Sequence, residues 1–318
     1  MTTSPTPRAS IVMVVDDHLD CLAATVRAYA AQTAPLDAFE VLVLDPVRVV
    51  EWSPIVSRLV ATEAPGLDIR VSTLARGGRA AALNLGVRRA RAPLVIFAGD
   101  DIVPGTTFVE SHLAYHRDHS EVEAVGIGSA VFPPHLREPF RDWLDASGSL
   151  FGISFLGDAP PVPPHFFFIA NASVKRAMLE RAGRFNEAFP YHAWDDYEMS
   201  LRLVDCGMRA GYVRGAEAMH EHGLTLEERC AAMRRAGESA RVLQGIRPGS
   251  YGWLQIMERD PSDWMREARW WDLGARVFGS RGCRERHWQA TLNAAFVAGY
   301  HEAVIGERDG SRVVARAA

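Results

Sequence analysis

The fold is decided by the stretch from Gly77 to Asp101, which has the sequence GGRAAALNLGVRRARAPLVIFAGDD. Its two glycines open an alanine-rich segment that predicts a helix through Asn84. The apolar run from Leu94 to Ala98 is typical of a strand buried on both faces of a sheet. Gly99-Asp100-Asp101 follows at once. We therefore expect two carboxylates at the carboxyl end of a central strand.

The same alternation of strand and helix extends upstream. Apolar runs predict strands at 11–15, 39–44 and 69–71, with helical segments at 22–31 and near 53–63. This alternation is typical of an α/β protein with a mixed, mostly parallel sheet flanked by helices. In such sheets, ligands bind outside the carboxyl ends of the strands. Those ends carry the acidic residues Asp16, Asp45, Asp100 and Asp101.

The chain downstream changes character. A short apolar run predicts a strand at 166–169, and from Thr225 onward the pattern is helical, with Thr225 and Glu228 at capping-box spacing. We predict a flexible tail at 1–9, one main domain at 10–225 and a C-terminal helical extension at 226–318. The extension contains five tryptophans, which would form its core, bind a ligand or make the seam of a homodimer, with core packing favoured: Trp253, Trp264, Trp270, Trp271 and Trp288.

Composition excludes several classes of protein. The 318 residues carry a net charge of -4, with 48% hydrophobic and 23% charged residues, as in ordinary globular proteins. That balance lacks the basic footprint of nucleic-acid binding, so no nucleic-acid partner is expected. Four cysteines without CxxC spacing indicate neither a zinc ribbon nor a disulfide framework, and they fit a reducing cytoplasm. No apolar run has the length of a transmembrane segment.

Asp100 and Asp101 have the chemistry of a cation site. Mg²⁺ prefers carboxylate oxygens and commonly keeps waters and substrate phosphates, so aspartates at a strand end can hold a metal–diphosphate unit. An Asx-type turn that ends the strand explains the same residues equally well. The wider sequence context has to decide between the two.

Two segments together resemble a known family. The helix from Gly78 to Gly86, the strand that follows it and Gly99-Asp100-Asp101 match the order of a Gly-Lys-Ala-Ala-Ala-Leu-Asn-x-Gly helix, a strand and a DxD motif. The segment from Trp194 to Leu203, preceded by Gly183 to Phe189, is similar to the family's GGFDE and WEDxELxxRL segments. The chain thus resembles the inverting family 2 glycosyltransferases, and the resemblance implies a GT-A (Rossmann-like) fold.

The resemblance implies roles for the acidic and histidine residues. Asp101 corresponds to the metal-binding aspartate, whereas Gly99 stands where the motif's first aspartate is usual. His220, or His222 beside it, would complete a site for Mn²⁺ or Mg²⁺. Asp16, Asp45 and Asp100 would contact the nucleotide-sugar donor, and Arg79, at the family's lysine position, would approach its diphosphate.

The acidic helix start would supply the catalytic base. The resemblance assigns that role to Asp196, with Asp195 beside it. An aspartate near the sugar can accept the proton of an attacking hydroxyl, and the helix N-terminus favours its ionised form. For Asp195 and Glu198 a purely structural capping box is an equal alternative.

We therefore predict a metal-dependent inverting glycosyltransferase with a nucleoside-diphosphate sugar as donor. Its acceptor would be a small molecule, a carrier-bound metabolite or a saccharide. One alternative is a sugar nucleotidyltransferase, although no glycine-rich GxGTR-like loop follows the first strand. Another is a non-catalytic nucleotide-sugar-binding protein, suggested by Gly99. A nicotinamide dehydrogenase is disfavoured because the first strand lacks GxGxxG.

Two further segments have simpler interpretations. His112, His116 and His119 recur at helical spacing, which favours a packed or solvated helix face over metal ligands. Asn171-Ala172-Ser173 resembles a family segment beside the acceptor, and the alternative is a turn into a helix at Val174.

Overall fold

A computed structural model describes residues 6–16, 19–46, 52–74, 77–156, 161–190, 193–249 and 255–308. Of the predicted tail, residues 1–5 lie outside these ranges, while Ala9 already belongs to the first strand. Trp253 also lies outside them. The chain divides into two compact units, of which the first comprises 1–137, 144–187 and 196–223, and the second 138–143, 188–195 and 224–318.

The first unit is built on a main sheet that has seven strands among the described residues, in the order β3-β2-β1-β4-β8-β6-β9. Strands β3, β2, β1 and β4 are parallel neighbours, and β8 is antiparallel to both β4 and β6. The strands are β1 (Ala9–Val14), β2 (Phe39–Pro46), β3 (Ile69–Leu74), β4 (Leu94–Gly99), β6 (Ala124–Ile127), β8 (Asn171–Lys175) and β9 (Arg209–Tyr212).

A smaller sheet crosses the carboxyl end of β4. It has the order β5-β10-β7, with β5 antiparallel to β10 and β10 parallel to β7. Its strands have two or three residues each: β5 (Ile102–Pro104), β7 (Ala130–Val131) and β10 (Ala218–His220).

Seven α-helices among the described residues start in the sequence of the sheet unit or at its boundaries. They are α1 (Leu19–Ala30), α2 (Trp52–Glu63), α3 (Arg79–Arg89), α4 (Phe108–Asp118), α5 (Pro139–Ser147), α6 (Arg176–Ala182) and α7 (Asp195–Asp205).

The parallel strands are mostly apolar because both faces of the sheet are covered. Successive residues alternate between two cores: Ile11 and Met13 of β1 belong to one, and Val12 to the other. Leu22 of α1 packs in the first core, and Leu83 of α3 packs in the second. The four predicted strands before residue 100 are present. β1 begins two residues before the predicted run and ends one residue short of it, at Val14, whereas β2, β3 and β4 extend past the predicted ends.

The region 166–171 differs from the prediction. A 3₁₀ turn covers Pro164–Phe166 and no strand occupies 166–169; the strand begins instead at Asn171. The run of phenylalanines is buried as loop residues, which is why it resembled a strand. Asn171-Ala172-Ser173, which resembles a family segment and had a turn into a helix at Val174 as its alternative, lies in β8 between β4 and β6. The helix that follows begins only at Arg176.

The second unit is helical. Its long helices are α8 (Leu226–Ile246), α9 (Pro261–Phe278) and α10 (Arg281–Arg308), and α8 begins with the predicted Thr225–Glu228 capping box. Helices α8 and α10 cross closely, since a Cβ at Gly237 would lie 2.0 Å from the carbonyl oxygen of Phe296. None of the described helices is long and apolar enough to cross a lipid bilayer.

Candidate active site

Four acidic residues follow neighbouring parallel strands, and we call Asp16, Asp45, Asp100 and Asp101 the acidic edge. The backbone N–H of Asp16 donates a 2.7 Å hydrogen bond to Oδ2 of Asp100. The Thr25 hydroxyl donates to the Asp100 carbonyl at 2.8 Å. Asp100 is 3% exposed. Its side chain therefore ties the end of β1 to the end of β4.

Negative charge accumulates at this edge. Burial, and then the neighbouring charge of Asp101, raise the pKa of Asp100 well above its ordinary value, although the N–H of Asp16 opposes the shift. The same negative charges act on the Cys21 thiol of α1. Burial, followed by the charges of Asp101 and Asp100, raises its pKa to about 11. A cation at the edge would favour the ionised carboxylates.

Asp101 contacts a histidine 119 positions later in the chain. The imidazole Nε2 of His220 lies 3.0 Å from Asp101 Oδ2. Antiparallel pairing of β5 with β10 sets His220 opposite Ile102, and the Glu221 N–H donates to the Asp101 carbonyl at 2.9 Å. The small sheet is therefore what brings together the two residues predicted to bind metal.

The His220 ring packs against two phenylalanines, but only one of its two nitrogens has a hydrogen-bond partner among the described residues. The side chain is 3% exposed, with ring centroids of Phe132 and Phe151 at 5.0 and 5.4 Å. Its Nδ1 is buried and has no hydrogen-bond partner among the described residues. The ring of His222 lies farther out, with its centroid 6.3 Å from that of His220.

Asp45 ends β2 with a carboxylate that is not satisfied. The residue is 6% exposed, and burial raises its pKa. Its Oδ2 has no hydrogen-bond partner within the described ranges. Because an unsatisfied buried oxygen costs free energy, this atom is suited to accept a hydrogen bond from a ligand.

Close packing explains why glycine precedes the two aspartates. A Cβ at Gly99 would lie 2.7 Å from Ile102 Cγ1 and 2.8 Å from Asp101 Oδ1. An aspartate at this position would displace the Asp101 carboxylate. Glycine at position 99, where a DxD motif has its first aspartate, therefore leaves room for the Asp101 carboxylate.

The second predicted group lies at the start of α7. Asp196 Oδ1 accepts a 2.8 Å hydrogen bond from the Tyr197 N–H, in the helix's first turn. Its Oδ2 lies 3.8 Å from Arg79 Nη2, at the start of α3, and both side chains are mostly buried. Asp195, the first residue of α7, is 1% exposed, and Glu198 forms a bidentate pair with Arg202.

The motif at 194–203 begins with Trp194, whose structural role could not be predicted from the sequence. Trp194 has a left-handed backbone with φ 71°, a conformation that costs about 1–3 kcal/mol for a non-glycine residue. Its indole N–H donates to the Ala236 carbonyl at 2.7 Å, and its ring packs edge-on against Phe296. These contacts hold the backbone that leads into Asp195 and Asp196 in one conformation. A positive φ at tryptophan has no signature in the sequence.

The predicted residues thus meet in three pairs: Asp16 with Asp100, Asp101 with His220, and Arg79 with Asp196. Within the described ranges no group of three or more histidine, cysteine or acidic residues is arranged to hold a metal ion. Asp101 and His220 nevertheless offer a carboxylate oxygen and an imidazole nitrogen at contact distance. The pair would supply two ligands to a divalent cation such as Mn²⁺ or Mg²⁺, with the remaining ligands taken from water and substrate phosphate.

The histidines of α4 form a different kind of cluster, which we call the polar knot: His112, His116, Asn171 and Ser173. His112 bonds Ser173 Oγ at 2.9 Å and Asn171 Oδ1 at 3.0 Å, and His116 Nε2 bonds Ser173 Oγ at 2.9 Å. The Asn171 amide also donates to the carbonyls of Ser129 and Ala216. The two histidines are packed, as predicted, whereas His119 is exposed and stacks on Tyr115.

Comparison with known proteins places these features in context. The family model described as "Glycosyl transferase family 2" matches residues 10–180. A validoxylamine A glucosyltransferase of Streptomyces hygroscopicus subsp. jinggangensis is 26% identical over 249 residues, 69% of this chain and 57% of that protein. Its counterpart in subsp. limoneus is also 26% identical, over 53% of its length. The chain therefore spans little more than half the length of these relatives.

Solved structures share the fold over nearly the whole chain. The mannosyltransferase PcManGT from Pyrobaculum calidifontis, in complex with GDP-Man and Mn²⁺, has a TM-score of 0.65 at 17% identity and covers 95% of this chain and 88% of its own. S. aureus TarS 1-349 in complex with UDP has a TM-score of 0.55 at 15% identity, over 95% and 92%. The predicted GT-A fold is confirmed.

Proposed function

The chain belongs to glycosyl transferase family 2, and from that premise we propose that it moves a sugar from a nucleoside-diphosphate sugar to an acceptor hydroxyl, with inversion at the anomeric carbon. The observation that carries the proposal is the 3.0 Å contact between Asp101 Oδ2 and His220 Nε2. Asp101 follows the carboxyl end of the parallel strand β4, where ligands of such sheets bind, and His220 contacts it from the small sheet. The two donors together suit the diphosphate of a sugar nucleotide. An ordinary turn at Asp100-Asp101 would not require a buried imidazole against it.

Asp101 and His220 are the residues that would hold Mn²⁺ or Mg²⁺, which supplies positive charge for the departing diphosphate when bound. His222, two residues later and with its ring centroid 6.3 Å from that of His220, is the alternative ligand. Phe132 and Phe151 keep the His220 ring in one orientation. Asp100, bonded to the Asp16 N–H, fixes the backbone from which Asp101 projects.

Asp196 accepts the proton in the proposed reaction. The acceptor oxygen forms a bond to the anomeric carbon while the bond from that carbon to the diphosphate breaks, and its electron pair leaves with the diphosphate. The hydroxyl proton passes to Asp196. The helix N-terminus favours a carboxylate in the ionised form, and Arg79, 3.8 Å away, orients it. Asp195, buried beside it, would support the helix start.

Asp45 and Asp16 are proposed to contact the nucleoside part of the donor. The unsatisfied Oδ2 of Asp45 would accept a hydrogen bond from the ribose or base. Binding would then remove the cost of leaving that oxygen buried without a partner. Arg79 contributes to the diphosphate end through its position at the start of α3.

The relatives' names support the class of reaction. The two Streptomyces proteins are named as glucosyltransferases acting on validoxylamine A, which favours a glucosyl or related hexosyl donor for this chain. The acceptor class stays as predicted from the sequence: a small molecule, a carrier-bound metabolite or a saccharide.

The proposal is tested by nucleotide binding and sugar transfer in matched variants. We expect UDP or GDP to raise the melting temperature of the full chain, and to raise it more with Mn²⁺ than without it. A ligand at about 100 times its Kd adds about 2.7 kcal/mol to the free energy of unfolding. Asp101→Asn should abolish the Mn²⁺-dependent part and lower transfer about a hundredfold. Asp118→Asn is the control, because its carboxylate is 66% exposed on α4 and pairs only with Arg117 in the described contacts.

Other outcomes would contradict the proposal. Nucleotide binding with no donor hydrolysis or transfer to any acceptor would indicate a non-catalytic binding protein. Release of pyrophosphate from a nucleoside triphosphate would indicate a nucleotidyltransferase. An Asp101→Asn variant with the wild-type response to Mn²⁺ would remove Asp101 from the metal site.

A further inference from the structure

The helical unit exposes large apolar side chains along one face of α9. Trp270 is 73% exposed, Leu273 52%, Val277 63% and Phe278 79%. Trp270, Leu273 and Val277 follow the i, i+3, i+7 spacing of one helix face, and Phe278 is the last residue of the helix. We call these four residues the apolar tip. Isolated exposed apolar side chains are normal, but a contiguous group of this kind marks an interaction surface.

The apolar tip protrudes at a helical hairpin. Gly279 caps helix α9 and forms the turn that follows it. Its φ of 62° is left-handed, and its N–H donates to the Ala275 carbonyl. Helix α10 starts only two residues later, at Arg281. Because Trp270 is 73% exposed, it is not part of the core that was predicted for the C-terminal tryptophans. Trp288, by contrast, packs against Phe140 and Trp143.

Positive charge surrounds the end of the hairpin. Residues 276–286 contain four arginines and one glutamate, a net charge of +3 in a chain whose total is -4. Arg276 pairs with Asp272 and Arg281 with Glu285. Arg284 and, farther up α9, Arg269 are exposed and form no ion pair among the described residues. The tip is thus apolar at its centre and cationic around it.

We propose that the apolar tip docks on the surface of an anionic lipid bilayer. Phe278 and Val277 would enter the boundary between headgroups and acyl chains, and Trp270 would lie at headgroup level, where its ring is favoured. The arginines would face lipid phosphates. Charge decides against a second copy of this chain as the occupant, because a two-fold contact through the tip would bring two clusters of +3 together.

Vesicle sedimentation with the full chain tests this proposal. We expect binding to vesicles of equal parts phosphatidylcholine and phosphatidylglycerol, weaker binding to phosphatidylcholine alone, and loss of the difference at high salt. The double variant Val277→Ser/Phe278→Ser should lower the partition coefficient by about tenfold or more. Arg269→Gln and Arg284→Gln should each lower it about fivefold on the anionic vesicles only.

The control is Ile55→Ser, which removes a 49% exposed apolar side chain on α2 and should bind vesicles like the wild type. All changed side chains are exposed, and melting temperatures verify that each variant is folded. Equal binding by wild type and double variant would overturn the proposal. So would absence of vesicle binding together with a concentration-dependent dimer, in sedimentation velocity, that the double variant loses.

Discussion

The acidic edge and the polar knot lie in the same unit and both bury polar side chains, but they differ in how those side chains are satisfied. In the polar knot, both ring nitrogens of His112, the amide of Asn171 and the hydroxyl of Ser173 find partners within the protein. At the acidic edge, Asp45 Oδ2 has no hydrogen-bond partner among the described residues. Nδ1 of His220, whose ring contacts Asp101, has none among them either.

Under the proposed function, this difference separates polar groups that stabilise the fold from polar groups that bind a ligand. A buried polar group contributes to the fold when its hydrogen bonds are made, and it costs about 1–3 kcal/mol when they are not. The hydrogen bonds of the polar knot are made within the protein, apart from that of His116 Nδ1, so the knot stabilises the unit. At the acidic edge, the proposal is that a nucleotide sugar and a cation remove this cost. The two regions should respond oppositely to mutation.

The largest effect is expected at the start of α7. Asp196→Asn should lower the rate of sugar transfer about a thousandfold, because the amide cannot accept the acceptor's proton. Its melting temperature and its response to nucleotide should stay close to those of the wild type, since the amide oxygen can still accept the Tyr197 N–H. Initial rates with a labelled donor and nucleotide thermal shifts measure the two quantities. Unchanged turnover would exclude Asp196 as the base.

The opposite behaviour is expected in the polar knot. Asn171→Ala removes the partner of His112 Nε2 and the donor to the Ser129 and Ala216 carbonyls. Leaving these buried groups unsatisfied should lower the free energy of unfolding by about 3 kcal/mol. Urea denaturation measures the loss. A stability within a few tenths of a kcal/mol of the wild type would mean that the knot does not support the fold.

A last prediction sharpens the comparison through pH. Burial lowers the pKa of His112 to about 4 and that of His116 to about 3. In the unfolded chain both titrate near pH 6.5, so the unfolded state binds more protons below that pH. The stability that the two neutral histidines contribute is therefore fully present above about pH 6.5. It falls as the pH drops toward 4, by about 1.4 kcal/mol per pH unit for each histidine.

Urea denaturation at a series of pH values measures this slope. His112→Gln should remove about half of it. His119→Gln, on the same helix, should leave the slope unchanged because that ring is exposed. A slope that is insensitive to His112→Gln would show that the acid loss arises elsewhere.

The alternating apolar runs and the glycine-started helix could be interpreted from the sequence because they depend on local pattern. A strand buried on both faces, such as 94–98, needs apolar residues throughout, and the signal survives without knowledge of its neighbours. The acidic residues at the strand ends follow from the same pattern, since parallel strands share one edge. The residue types at 194–203 supplied the family resemblance.

Other features depended on partners far along the chain. Strand β8 carries the polar residues Asn171 and Ser173. They are tolerated in a buried strand because His112 and His116 of α4, together with backbone carbonyls, satisfy their hydrogen bonds. A buried polar strand has no local pattern that separates it from a turn. The phenylalanine run before it has the pattern of a strand but is packed as a loop.

By itself, the sequence determined the α/β alternation, the position of the acidic edge and the family, because each depends on neighbouring residues. Only the tertiary structure decided that His220 lies against Asp101, that Arg79 lies beside Asp196, and that Trp270 is exposed. The physical reason is that contacts between distant segments are set by strand pairing and helix packing, and no local period encodes them.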